Sequence, residues 1–263
     1  MEPEPKFLNI AAYGPDRNLF LVVLKTKNVP GALGDIATRA GNASMNILST
    51  SNYSLPDHPE SVLSFFAESK DPKMSEDDMA KVFHSSPFVL DLHTEKKEAA
   101  LLIDDFSFPL MFFPSGRGIL LPQSGTTAMF RDLVRLFGTG GETIIYNAGA
   151  SVGRKGFDEL TALLGKELTI EVASSFTKLY AAVGWGRLEM GEIRGGRYEM
   201  RLFDGFESAG ARSSRPICHF TRGLIAGAFE RVLKGPVKVT EEQCAATGAP
   251  GCLFAVTLKD RPQ

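Results

Sequence analysis

The sequence predicts an α+β protein of two units, and three observations carry that expectation. The first 97 residues alternate strand and helix signals in the order βαββαβ. The stretch from Thr126 to Leu164 is helical in period. A length of 263 residues with 43% hydrophobic content exceeds one ordinary domain of about 100–200 residues and supplies enough apolar side chains for two compact cores.

In the first unit, residues 1–97, Leu19–Leu24 (LFLVVL) reads as a buried strand. Pro30-Gly31 ends it, and Ala32–Ala40 follows as a short helix with Leu33, Ile36 and Ala37 on one side. Asn46–Ser54 and Ser61–Glu68 are the next two strands. Ser75 caps a helix over Glu76–His84, and Phe88–His93 is the last strand. This order is that of a ferredoxin-like module. Thr94–Ala100 (TEKKEAA) is charged and reads as a linker, with the boundary near Lys97. Leu101–Leu121 is assigned to the second unit, residues 98–263, as a hairpin or extended arm.

The second unit opens with a helix over Thr126–Phe137, with Met129, Leu133 and Leu136 on one face. Thr143–Leu164 reads as one or two helices broken near Gly149 and Gly153 and ended by Gly165. No internal repeat or low-complexity segment interrupts either unit.

Near the C-terminus, Cys218, Glu241, Cys244 and Cys252 form a candidate metal site. Glu241 and Cys244 make a Glu-x-x-Cys pair, Cys252 follows across the turn Thr247-Gly248-Ala249-Pro250-Gly251, and Cys218 comes from upstream. Zinc takes thiolate and carboxylate ligands, and four protein ligands with no open position mean structure rather than catalysis. Three unrelated buried thiols beside a surface glutamate, or a disulfide with one thiol left over, are the alternatives. His219 could replace Glu241, but it adjoins Cys218, and neighbouring residues rarely both reach one metal.

Several pieces then occur in order: Gly184-Trp185-Gly186-Arg187-Leu188-Glu189, Gly196-Arg197-Tyr198-Glu199-Met200, Phe206-Glu207, Pro216-Ile217-Cys218 with Gly223 and Gly227, Val237 to Glu241, and Cys244 to Phe254. Through them, Leu179–Leu258 resembles the 4-vinyl reductase domain, the sensor module of phenol- and xylene-responsive transcriptional activators. The resemblance implies helices packed on a small antiparallel sheet and a structural zinc held by Cys218, Glu241, Cys244 and Cys252. It also implies a pocket for a small hydrophobic or aromatic molecule, with Tyr180, Trp185, Leu202, Phe203 and Phe206 as its candidate lining. In the phenol sensors a histidine and a tryptophan hold the phenolic hydroxyl. Tyr180 and Leu202 stand at those positions here, which points to a more apolar molecule than phenol, with Tyr180 as its polar contact.

The first unit, with Asn28-Val29-Pro30-Gly31-Ala32-Leu33 and Gly41 to Ile47, resembles the ACT domain. ACT domains are regulatory modules that commonly bind amino acids at a dimer interface. Asn28, Gly31, Ala32, Asn46 and Ile47 would line that place; Gly31 lets a ligand approach the backbone, and the helix start offers amide donors to a carboxylate. A packing or dimerisation unit without ligand is the alternative.

A net charge of −2 and scattered basic residues argue against direct nucleic-acid binding. Met1–Phe7 is acidic, unlike a secretory signal, and no apolar run approaches the roughly 20 residues that cross a bilayer, so a cytoplasmic protein without membrane insertion is expected. The chain has no G-x-G-x-x-G fingerprint, P-loop or nucleophile elbow, and its four histidines form no acid–base pair by spacing. The expectation is therefore a non-enzymatic, homodimeric ligand sensor acting on an unidentified output protein. A non-catalytic scaffold like the small TRAPP subunits is the second reading, and an accessory role in tetrapyrrole vinyl reduction the third.

Overall fold

The computed structural model describes residues 5–55, 57–112, 116–165 and 170–259. Part of the Met1–Phe7 reading, and Pro114 of the interrupted apolar run, lie outside these residues. The chain divides into two compact units, Met1–Ile119 and Leu120–Gln263.

The first unit contains β1 (Ala11–Tyr13), β2 (Leu19–Lys27), α1 (Ala32–Asn42), β3 (Met45–Ser54), β4 (Glu60–Ser69), α2 (Glu76–His84), β5 (Val89–Lys96), β6 (Leu101–Ile103) and the short hairpin β7 (Met111–Phe112) and β8 (Gly116–Arg117). Its main sheet has the order β3-β4-β2-β5, antiparallel throughout, which is the ferredoxin-like arrangement. Helix α1 starts at Gly31, whose φ of 91° suits glycine. Helix α2 starts with a full capping box between Ser75 and Asp78.

Strand β2 is continuously apolar because both of its faces are covered. Phe20, Val22 and Leu24 pack with Ile36, Met79 and Phe83 of the two helices. On the other face Leu19, Leu21 and Val23 pack with Phe66, Ala12 and Leu102. The last two residues belong to a ribbon in which β1 pairs with β6, and this ribbon is the cover. Asn9 pins it by donating to the backbone oxygen and hydroxyl of Ser64, and Ser64 donates in turn to Asp104 at 2.9 Å.

Two expectations are corrected here. The charged stretch after His93 does not form a linker from Thr94, since β5 stays paired with β2 as far as Lys96. Leu101–Ile103 belongs to the first unit rather than the second, because Leu102 completes its core, and the division falls at Ile119/Leu120 rather than near Lys97.

The second unit comprises α3 (Gln123–Phe137), α4 (Thr139–Leu164), α5 (Ile170–Ala182), β9 (Arg187–Arg194), β10 (Arg197–Phe203), α6 (His219–Val232), β11 (Val237–Gln243) and β12 (Cys252–Leu258). Its antiparallel sheet has the order β11-β12-β10-β9. Helix α6 is buried on nearly every side and packs against both α4 and the sheet.

Helix α4 is one continuous helix, so Gly149 and Gly153 do not break it. They are where α6 touches it. A methyl group at Gly149 or Gly153 would lie 2.1 or 2.2 Å from the carbonyl oxygen of Phe220 or Leu224, and one at Gly223 or Gly227 would lie 1.9 or 2.0 Å from that of Tyr146 or Ala150. Four glycines thus bring two backbones together face to face, and the ion pairs Arg154–Glu230 and Arg231–Asp158, each 2.9 Å, flank the crossing.

Substituting Gly227→Ala should separate the helices and destabilise the second unit by about 3 kcal/mol. A thermal melt checks this, with Gly34→Ala as the control because a methyl there meets nothing within 4 Å.

Candidate metal centre and adjoining aromatic core

The four residues singled out by spacing converge. Cys218 is the N-cap of α6, Glu241 lies on β11, Cys244 precedes a 3-10 turn over Ala245–Thr247, and Cys252 opens β12. All four are buried, and their ligand atoms lie within 4.8 Å of one another.

The sulfur of Cys218 lies 3.9 Å from that of Cys244 and 3.6 Å from that of Cys252. A disulfide requires about 2.05 Å, and the three cysteines are free. Tetrahedral zinc with bonds of about 2.3 Å sets its sulfurs about 3.8 Å apart, so the observed spacing fits such a cation. One oxygen of Glu241 accepts the Cys218 amide at 3.0 Å, while the other, Oε1, is buried without a hydrogen-bond partner. A cation would satisfy that oxygen, and the set can hold a metal ion.

Electrostatics agree with one missing positive charge. The neighbouring thiols of Cys244 and Cys252 push the Cys218 thiol well up. The hydrogen bond from Cys218 brings Cys244 down to about 6 and Cys252 to about 7. Burial raises Glu241 to about 8. Without a metal, Cys218 therefore keeps a proton that its neighbours share, and a divalent cation would displace it.

Beside this cluster runs a buried polar chain that spacing alone does not reveal. Glu207 accepts the amides of Phe220 at 2.9 Å and Thr221 at 2.7 Å, the first-turn donors of α6. It also accepts the Thr221 hydroxyl at 2.6 Å, and Thr221 lies 2.9 Å from the Tyr180 hydroxyl. Burial pushes the Glu207 carboxyl up to about 7, with Thr221 pulling the other way, and burial pushes the Tyr180 phenol upward too. The Phe206-Glu207 dipeptide stands among the resembling pieces, but nothing in a single glutamate advertises a helix start thirteen residues downstream.

The candidate ligand residues divide. Tyr180 lies edge-on to Trp185 at 5.5 Å, Trp185 is perpendicular to Phe220 at 5.8 Å, and Phe206 stands 6.3 Å from Trp185. Phe130 of α3, absent from the expected lining, reaches this group 5.6 Å from Phe220. Leu202 shares the core with Tyr180 and packs against the backbone of Gly186 and Gly205. Phe203 does not join them. Successive strand residues face opposite ways, and Phe203 lies under the Arg187 guanidinium while Tyr198, Met200 and Leu202 point into the core.

In the first unit, Asn28 and Ala32 line a cavity of about 70 Å³ together with Thr26, Asn52 and Ser61. The Asn28 amide is held by the carbonyls of Leu55 and His58. Gly31 is open at the start of α1. Asn46 and Ile47 pair with Glu68 and Ala67, whereas Lys27, next to Asn28, pairs with Glu60. Within one chain those two residues therefore sit at the opposite end of the sheet. The histidines also hold one surprise: buried His219 has its Nε2 4.0 Å from Glu142, which Arg215 also bonds. Among the described residues no helix is long and apolar enough to cross a membrane.

Residues 198–258 match the model of the 4-vinyl reductase domain family. The chain is 30% identical to the uncharacterized protein MJ0150 of Methanocaldococcus jannaschii over 145 residues, which are 55% of this chain and 80% of MJ0150. It belongs to the same family as that protein. Among solved structures it is similar to the phenol-responsive sensory domain of the transcription activator PoxR bound to phenol, at 17% identity and a TM-score of 0.49, covering 56% of this chain and 83% of that one. A vinyl-4-reductase family protein from Methanocaldococcus jannaschii is similar at 24% identity and a TM-score of 0.39, covering 56% and 85%.

Trp185 is the sole tryptophan and sits in the aromatic group, so its emission reports on this core alone. Phe206→Ala should cost about 3–5 kcal/mol, read as a lower denaturation midpoint of Trp185 fluorescence.

Proposed function

We propose that this member of the MJ0150 family, with its 4-vinyl reductase domain, is a non-catalytic regulatory protein that binds a small hydrophobic or aromatic molecule in a zinc-stabilised second unit. The observation that carries the reading is the buried group Cys218, Glu241, Cys244 and Cys252, with sulfur spacing fit for zinc and one orphaned carboxylate oxygen, set beside a buried tyrosine hydroxyl in an aromatic core. Zinc is preferred because three thiolates and a carboxylate form a closed tetrahedral set, which leaves no position for substrate or water. Tyr180, Trp185, Leu202 and Phe206 form the ligand region, with Phe130 added and Phe203 left outside.

The ferredoxin-like unit supplies the regulatory input, an amino acid held near Asn28, Gly31 and Ala32. Asn46 and Ile47 reach the same guest only from a second copy of the chain, which favours a homodimer. The dimer passes the signal to an output protein.

A scaffold remains the second reading because α3 turns apolar residues outward: Met129, Leu136 and Phe137 are 49%, 66% and 59% exposed. Native mass spectrometry separates the two readings. Zinc with a co-purified organic mass supports sensing, and zinc in a ligand-free higher assembly supports scaffolding.

Cys244→Ser should remove the metal and lower the melting temperature of the second unit, because a structural zinc contributes folding energy directly. Metal analysis and calorimetry check this, and a variant that keeps both its zinc and its melting temperature sinks the assignment.

A further inference from the structure

The first turn of α6 is shared between two buried carboxylates. Glu241 takes the amide of Cys218, and Glu207 takes those of Phe220 and Thr221. Only Glu241 belongs to the candidate metal set; Glu207 belongs to the chain that ends at Tyr180. The direction of that chain follows from counting hydrogens. Thr221 has one hydroxyl proton and donates it to Glu207, so the Tyr180 hydroxyl is the donor to Thr221. Cys218 caps this turn, so the placement of its sulfur depends on how firmly the turn is held.

We propose that Glu207 is a positioning residue for the metal centre, and that the chain Tyr180–Thr221–Glu207 couples retention of the metal to the hydrogen bond made by the Tyr180 hydroxyl. A guest that takes the Tyr180 proton for itself withdraws it from Thr221, loosens the Glu207 clamp on α6 and changes the hold on Cys218. Linkage makes the effect reciprocal: the metal, by fixing the turn, favours the arrangement in which Tyr180 is already engaged. This inference rests on the zinc reading, which it deepens by giving the centre a regulatory input.

The test uses the full chain loaded with zinc, and a chromophoric chelator competes for the metal. Partners that orient metal ligands typically change affinity by about 10–100-fold when removed. Thr221→Val keeps the shape of the side chain and removes the hydroxyl; it should weaken zinc binding about tenfold. Tyr180→Phe should weaken it by a smaller factor, and the double variant should be no weaker than Thr221→Val alone, because both changes cut one chain. Ile225→Val on the same helix, equally buried but without a polar role, should lower the melting temperature and leave zinc affinity unchanged. Unaltered affinity in both hydroxyl variants, or an equal loss in Ile225→Val, overturns the coupling while leaving the zinc reading intact. A wild-type chain that binds no zinc overturns both.

Discussion

The positive end of helix α6 is what the second unit is built around. Three thiols and two carboxylates gather at it, all buried, and such a set is unfavourable in an apolar core unless cations or aligned amides answer it. The amides of Cys218, Phe220 and Thr221 supply part of the answer, and the helix dipole adds to it. The rest falls to an ion, which is why the orphaned oxygen of Glu241 and the proton retained by Cys218 are informative: each marks unmet attraction for positive charge.

That helix can present its start in the core only because its body is sunk there as well. Glycines on both α4 and α6 let the backbones meet, so the helix lies close against its neighbour while its other sides face the sheet and the aromatic group. Position and chemistry are joined: moving α6 outward would carry Cys218 away from Cys244 and Cys252, which are fixed by β11 and β12.

Much of this was legible in the sequence, for identifiable reasons. The metal residues stood out because cysteine is scarce in this chain and its spacing is little blurred by other roles. The βαββαβ order was readable because its strands are long and its helices are bounded by Pro30-Gly31 and Ser75. The ribbon of β1 and β6 was not, since three-residue strands carry too little pattern, and Leu101–Ile103 offers no sign of its distant partner Ala11–Tyr13. Gly149 and Gly153 were misread because glycine serves equally as a breaker and as a contact point, and only the neighbouring helix decides between them. Phe203 was misplaced although alternation along β10 separates it from Leu202, a case where aromatic character outweighed a stronger geometric rule.

The ribbon over β2 bears on how the protein can be dissected. Its two strands lie far apart in sequence, yet each contributes one residue, Ala12 or Leu102, to the same small core over Leu19, Leu21, Val23 and Phe66. A fragment cut at the apparent hinge after residue 97 would lose β6 and expose that apolar sheet face to water, which invites aggregation. The smallest piece of the first unit that keeps its own cover therefore runs past Asp104, and the segment that looks like a tether in the sequence is the clasp that closes the unit.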